Sequence, residues 1–171
     1  MVAVALVLIV PSWRVSFQGW FAHWFLSDAH FAESNEIVQI DPEVKNWPLF
    51  NMDSQLTVFE EFEGKPVLLS FWATWCGPCR AELRELEQLK ESMGSEIYVA
   101  AVSTETIEVI QDSGLDNDYD FLYFADGVPS QFDVQAYPTL FLLDSELNIV
   151  HKSTGAANLN TEENINFLRN I

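Results

Sequence analysis

Cys76-Gly77-Pro78-Cys79 contains both cysteines of the chain. Two thiols at this spacing, with Pro between them and a helix starting under them, close and reopen a disulfide reversibly, which is the chemistry of a thiol–disulfide oxidoreductase. Metal binding is the rival. A structural zinc site needs four ligands, and beyond this pair the chain offers only His23, His30 and His151, with no second paired knuckle. Covalent haem attachment needs His straight after the second Cys, where Arg80 stands. Asp116-Asn117-Asp118-Tyr119-Asp120 begins like a calcium loop. However, Phe121 stands where the sharp-turn Gly belongs and Gly127 where the bidentate Glu belongs, so it reads as a solvated acidic loop. No metal, and no cofactor beyond the Cys76–Cys79 pair itself, is expected.

The elements that must position the pair can be read around it. After Gly64-Lys65-Pro66, residues 67–72 form a continuous apolar run, the pattern of a buried central strand. From Pro78 onward, Leu83, Leu86, Leu89 and Met93 mark one face of a helix, Pro78 fits its first turn, and Gly94 ends it. Upstream, 47–52 and 56–59 flank Asp53-Ser54-Gln55 as a β-hairpin. Downstream come a strand at 97–102, a short helix from a Thr104 cap through Ile107 and Ile110 to Gly114, and a strand at 121–124. A second hairpin joins 139–143 to 147–150, and Asn160 with Glu163 forms a capping box for a last helix carrying Ile165 and Leu168. The order ββ, β, α, β, α, β, ββ, α is that of an α/β protein with a mixed sheet. The thiols then lie at the C-terminal end of a central strand, where such folds place their sites.

The chain has 171 residues, 49% of them hydrophobic, which suits one domain with an appendage. Its net charge of −18 disfavours nucleic acid and anionic lipid headgroups as partners, and most of that charge serves solubility. Arg80, Arg84 and Lys90 follow the cysteines, and the next basic residue is Lys152. A locally positive spot there favours a thiolate. Residues 2–10 are uninterrupted and apolar, and apolar or aromatic character runs on to Leu26 with Arg14 as the only charge. Nine residues are too few to span a bilayer, which takes about 20. The longer stretch suffices, though a mid-membrane Arg costs on the order of 3 kcal/mol. Six aromatics between Trp13 and Phe25 suit a membrane boundary. The expected organisation is therefore an uncleaved membrane anchor at 1–26, an acidic linker at 27–46 and a globular domain at 47–171.

Trp75-Cys76-Gly77-Pro78-Cys79 after a hydrophobic strand resembles the thioredoxin superfamily active site. The longer run from Gly64-Lys65-Pro66 through Arg80-Ala81-Glu82-Leu83, with Tyr137-Pro138-Thr139-Leu140-Phe141, resembles the TlpA/ResA/DsbE-like branch of membrane-anchored thiol–disulfide oxidoreductases. The resemblance implies a thioredoxin fold, a mixed central sheet flanked by helices with an N-terminal β-hairpin extension. It makes Cys76 the exposed nucleophile, Cys79 the buried resolving thiol and Pro138 a cis-proline packed on the disulfide. Trp75, Gly77, Pro78, Tyr137 and Pro138 become substrate contacts, and Glu82 an acidic catalytic residue close to the thiols. Spacing agrees for Glu82, one turn beyond Cys79, and an ordinary exposed helical Glu stays open beside that reading. The branch further implies disulfide-bearing client proteins, a membrane thiol electron donor, and a domain on the extracytoplasmic (periplasmic) side of the cytoplasmic membrane. It also implies a reducing direction, with cytochrome c maturation as one setting. A thioredoxin-fold binding or chaperone-like module, or a thiol oxidase or isomerase, are the alternatives. Ser70 stands where cytoplasmic thioredoxins carry a buried Asp, which leaves Glu82 for proton transfer. Arg84 stands where the branch often has Pro, so the usual helix kink is not expected. The stretch 102–127 is short for the branch, which points to a reduced recognition insert.

Overall fold

The computed structural model describes Ser27, Asp28, Phe31 and residues 37–171, and the expected anchor at 1–26 lies outside the described residues. In chain order the elements are β1 (Ser27–Asp28), α1 (Pro42–Lys45), β2 (Pro48–Asn51), β3 (Leu56–Val58), β4 (Val67–Phe71), α2 (Gly77–Met93), β5 (Tyr98–Ser103), α3 (Ile107–Asp112), β6 (Leu122–Phe124), β7 (Thr139–Leu143), β8 (Ile149–Thr154), β9 (Ala157–Asn158) and α4 (Glu162–Leu168). Seven strands form one mixed sheet in the order β3-β2-β6-β5-β4-β7-β8. Among the described residues no helix is long and apolar enough to cross a membrane.

β4 is buried along its whole length because both faces are covered. Strand alternation sends Leu68, Ser70 and Trp72 to one face and Val67, Leu69 and Phe71 to the other. Leu68 and Trp72 join Leu83, Leu86 and Leu89 of α2 in one core. Val67, Leu69 and Phe71 join Trp47, Phe59, Phe132 and Phe141 in the second. Each such side chain contributes about 1.5–3 kcal/mol by leaving water.

Register decides what meets at the end of β4. β5 runs parallel to it with Phe71 opposite Val102, and β7 runs antiparallel with Phe71 opposite Thr139. The chain leaving β4 therefore emerges beside the chain leaving β5 and the chain entering β7. The N-terminal hairpin forms as expected, Leu49 opposite Thr57, and extends the sheet through β6.

Several expectations shift. Of the acidic linker expected at 27–46, residues 37–46 are instead part of the folded domain. Val38 exchanges two backbone hydrogen bonds with Ile149 at the sheet edge, and Ile40 and Val44 are buried in the second core. Gln131 holds the same segment by accepting from the Asp41 N–H and donating to the Gln39 carbonyl, both at 2.8 Å. α3 is capped at Thr106 rather than Thr104, and α4 at Thr161, whose hydroxyl accepts from the Asn164 N–H, rather than at Asn160. Leu147 takes a positive φ of 66° in the second hairpin turn, so β8 starts only at Ile149. β1 and β9, a parallel pair of two residues each, have no counterpart in the sequence reading.

Candidate active site

The two sulfurs sit where β4 hands over to α2. Cys76 is the N-cap of α2 and Pro78 lies in its first turn. Cys76 and Cys79 are joined by a disulfide of 2.08 Å, and the Cys79 N–H donates to Cys76 Sγ at 3.2 Å. A helix N-terminus presents unpaired N–H groups and a positive dipole end, which favour a thiolate at Cys76 once the bond is reduced. The expected exposure of Cys76 is not observed in the oxidised pair. Cys76 keeps 4% of its surface and Cys79 none, so the attacking sulfur is nearly covered in the oxidised pair.

What lies open is the rim. Trp75 is 65% exposed, and its ring centroid lies 6.0 Å from that of Tyr137. Pro78 is exposed, and Pro138 is buried behind Tyr137 through a cis peptide bond. The β4–β7 register brings this proline to the end of β4, since Thr139, the next residue, pairs with Phe71. Trp75 and Tyr137 thus form an open rim, with the buried Pro138 at the end of β4 and Gly77 starting the helix.

Behind the disulfide, Glu82 is buried at 1% exposure, which excludes the ordinary surface residue. Its Oε1 accepts a hydrogen bond from Ser70 Oγ at 2.5 Å. Burial pushes the Glu82 carboxyl up to about 7, and the Ser70 hydroxyl works against that push. Ser70 can serve because strand alternation aims it at α2, on the same face as Leu68.

The three basic residues do not act together. Arg80 Nε and Nη2 both donate to the Thr74 carbonyl at 3.4 Å, and burial first, then Arg84, lowers the Arg80 pKa. Arg84 is exposed and lies beside Tyr119, whose pKa burial raises and the Arg84 charge, a smaller effect, works to lower. Lys90 pairs with Asp120 at 2.7 Å, about 20 Å down the helix from its start. Only Arg80 touches the loop that carries the thiols. α2 runs without interruption through Arg84, as the missing Pro implies.

One participant has no signal in the sequence. Glu105, just beyond β5, accepts from the Thr74 N–H at 2.6 Å and from the Thr74 hydroxyl at 2.9 Å. Among the described residues, no group of three or more His, Cys, Asp or Glu is placed to hold a metal ion.

A dithiol pair at the N-terminus of a helix, following the central strand of a mixed sheet and backed by a cis-proline, defines a thioredoxin-fold thiol–disulfide oxidoreductase. Residues 39–167 match the model of the Redoxin family, and the chain belongs to that family. Thioredoxin-like protein YneN of Bacillus subtilis is 28% identical over 116 residues, 64% of this chain and 68% of its own length. Thiol-disulfide oxidoreductase ResA of Bacillus cereus is 28% identical over 131 residues, 73% of this chain and 75% of its own. Among solved structures, the exposed lipoprotein thioredoxin Etrx1 of Streptococcus pneumoniae superposes with a TM-score of 0.57 at 20% identity. That match covers 73% of this chain and 98% of Etrx1, and it shares the fold. Within the thioredoxin superfamily the chain is of the TlpA/ResA/DsbE-like kind.

Proposed function

We propose that this oxidoreductase works as a reductase of disulfides in extracytoplasmic client proteins, held at the cytoplasmic membrane by residues 1–26. The observation that carries the reading is the placement of the pair. Cys76 is the N-cap of α2 next to the exposed Trp75 of the Trp75–Tyr137 rim, and Cys79 lies one turn into the helix, fully buried, so Cys76 is the sulfur offered to a client disulfide. The Cys76 thiolate attacks a client sulfur, forming a Cys76–client bond and releasing the other client sulfur as a thiolate. Cys79 then attacks Cys76 Sγ, forming Cys76–Cys79 and releasing the second client thiolate. Two electrons pass to the client, and the two thiol protons end on its sulfurs.

Glu82 takes the Cys79 proton in the second step. A carboxyl poised near neutrality suits that task. Trp75, Gly77, Pro78, Tyr137 and Pro138 receive the client, and the disulfide itself is the only redox group used. A membrane thiol donor returns Cys76–Cys79 to the dithiol. Etrx1, an exposed lipoprotein by its name, supports the extracytoplasmic setting, and apocytochrome c is one client class consistent with the branch.

Direction is tested by reduction potential. A reductase titrates near about −270 mV, and a value near about −120 mV would assign the oxidase role instead. Capture is tested with Cys79→Ser in the full chain, which stalls the mixed disulfide. The expected product is a client joined to Cys76 and released by dithiothreitol. A chain that captures nothing while Cys76 stays reactive to alkylation would leave only a binding module.

A further inference from the structure

Residues 72–76 link β4 to α2, and the middle of this link is tied down from outside. Within it, the Trp72 N–H donates to the Val102 carbonyl and the Cys76 N–H to the Ala73 carbonyl, each at 3.1 Å. Thr74 is held entirely by side chains. Its N–H and hydroxyl donate to the two Glu105 oxygens at 2.6 and 2.9 Å, and its carbonyl accepts from Arg80. Glu105 is fixed in turn. Its N–H donates to Ser103 Oγ at 3.1 Å, and that hydroxyl donates to Glu105 Oε2 at 3.3 Å. Ser103 is the buried last residue of β5, rigid in the sheet. A carboxylate accepting from an amide and a hydroxyl together makes charge-assisted bonds, stronger than neutral ones.

We infer that Glu105 is a positioning residue of the rim beside the redox site, gripping Thr74 so that the exposed Trp75 keeps the geometry that receives a protein client. The inference rests on the oxidoreductase reading above. Thr74 and Glu105 sit half-buried at the rim rather than in either core. Loss of the grip therefore loosens the docking surface before it loosens the fold. The residue that follows Thr74 is the most exposed large apolar side chain among those described, Trp75 at 65%. A small disulfide makes little use of that platform, whereas a protein client does.

The test is steady-state reduction of insulin, a protein disulfide, beside cystamine, a small one, by the full chain, with dithiothreitol as the electron source and its uncatalysed rate subtracted. Glu105→Ala is expected to raise KM for insulin about tenfold, the scale of one lost charge-assisted hydrogen bond. Cystamine reduction should stay within about twofold of wild type. Glu105→Gln is the conservative rescue, since its amide oxygen accepts from the Thr74 N–H and its NH₂ donates to the Thr74 hydroxyl. It should bring the insulin KM most of the way back, neutral bonds replacing charge-assisted ones. An unchanged KM in Glu105→Ala would overturn the inference. So would an equal loss with both substrates, or Gln as impaired as Ala, which would make charge rather than grip the cause. Should Glu105→Ala fail to fold, Thr74→Val against Thr74→Ser asks the same question. Val removes one arm and should raise KM, Ser keeps it, and equal values would refute the grip. A wild-type chain that leaves insulin intact would instead bring down the oxidoreductase reading itself.

Discussion

Ser70 and Glu82 face each other between β4 and α2, joined at 2.5 Å and both buried to 1%. Burial raises the Glu82 pKa from an ordinary 4.5 to about 7, so between those values the folded chain holds a proton that the unfolded chain has lost. Stability from this group is then fully present below about 4.5 and declines as pH rises to about 7. Glu82→Gln removes that decline. Relative to wild type it should gain on the order of 3 kcal/mol between pH 4 and pH 8, read as the difference in urea midpoints at the two pH values. A constant difference would mean that Glu82 is charged when folded. The same variant should lower the thiol pKa values of the reduced protein, because an anion behind Cys79 disfavours a second one. Alkylation rate against pH reads this directly.

At the scale of elements, the segment before β2 is the largest departure from the sequence reading. Val44 is 5% exposed on a helix of four residues, and it packs with Trp47 and Phe59. Val44→Ala should therefore cost about 2 kcal/mol in a denaturant titration, for two buried methyls and the space they leave. A tether would show a change within about 0.5 kcal/mol. The segment hid from the sequence because its buried residues, Ile40, Val44 and Trp47, keep a helical spacing for only two turns, across Pro42 and among acidic and polar neighbours, too short a run to stand out. By contrast β4, β5 and β7 were legible, since strands covered on both faces become continuous apolar runs. α2 was legible from its single apolar face and its Gly94 stop, where φ is 57°. Caps were misplaced by one or two residues where two candidate cap residues lie close together, Thr104 with Thr106 and Asn160 with Thr161. The Cys76–Cys79 pair and the cis-proline were readable through a motif. Glu82 was readable only as a spacing, because its burial depends on Ser70 across the sheet–helix interface. Glu105 was not readable at all. Its contact spans 31 residues and exists only through the parallel register of β4 and β5.

For the whole molecule, the sheet order places β4 at the meeting of three chain ends, and each end contributes to one face. β4 leads into the thiols, β5 into Glu105, and β7 is entered through Pro138. The chain carries a net charge of −18, while among the described residues Arg80 is the basic side chain that donates to the loop after β4, at the Thr74 carbonyl. All of this arrangement converges on two sulfurs. The central claim is therefore tested most directly by turnover of a protein disulfide. The full chain is mixed with insulin and dithiothreitol, and precipitation of the freed insulin B chain is followed over time. The account predicts that the wild-type chain accelerates precipitation well above the dithiothreitol background and that Cys76→Ser returns it to that background. No acceleration by the wild-type chain, or undiminished acceleration by Cys76→Ser, would contradict it.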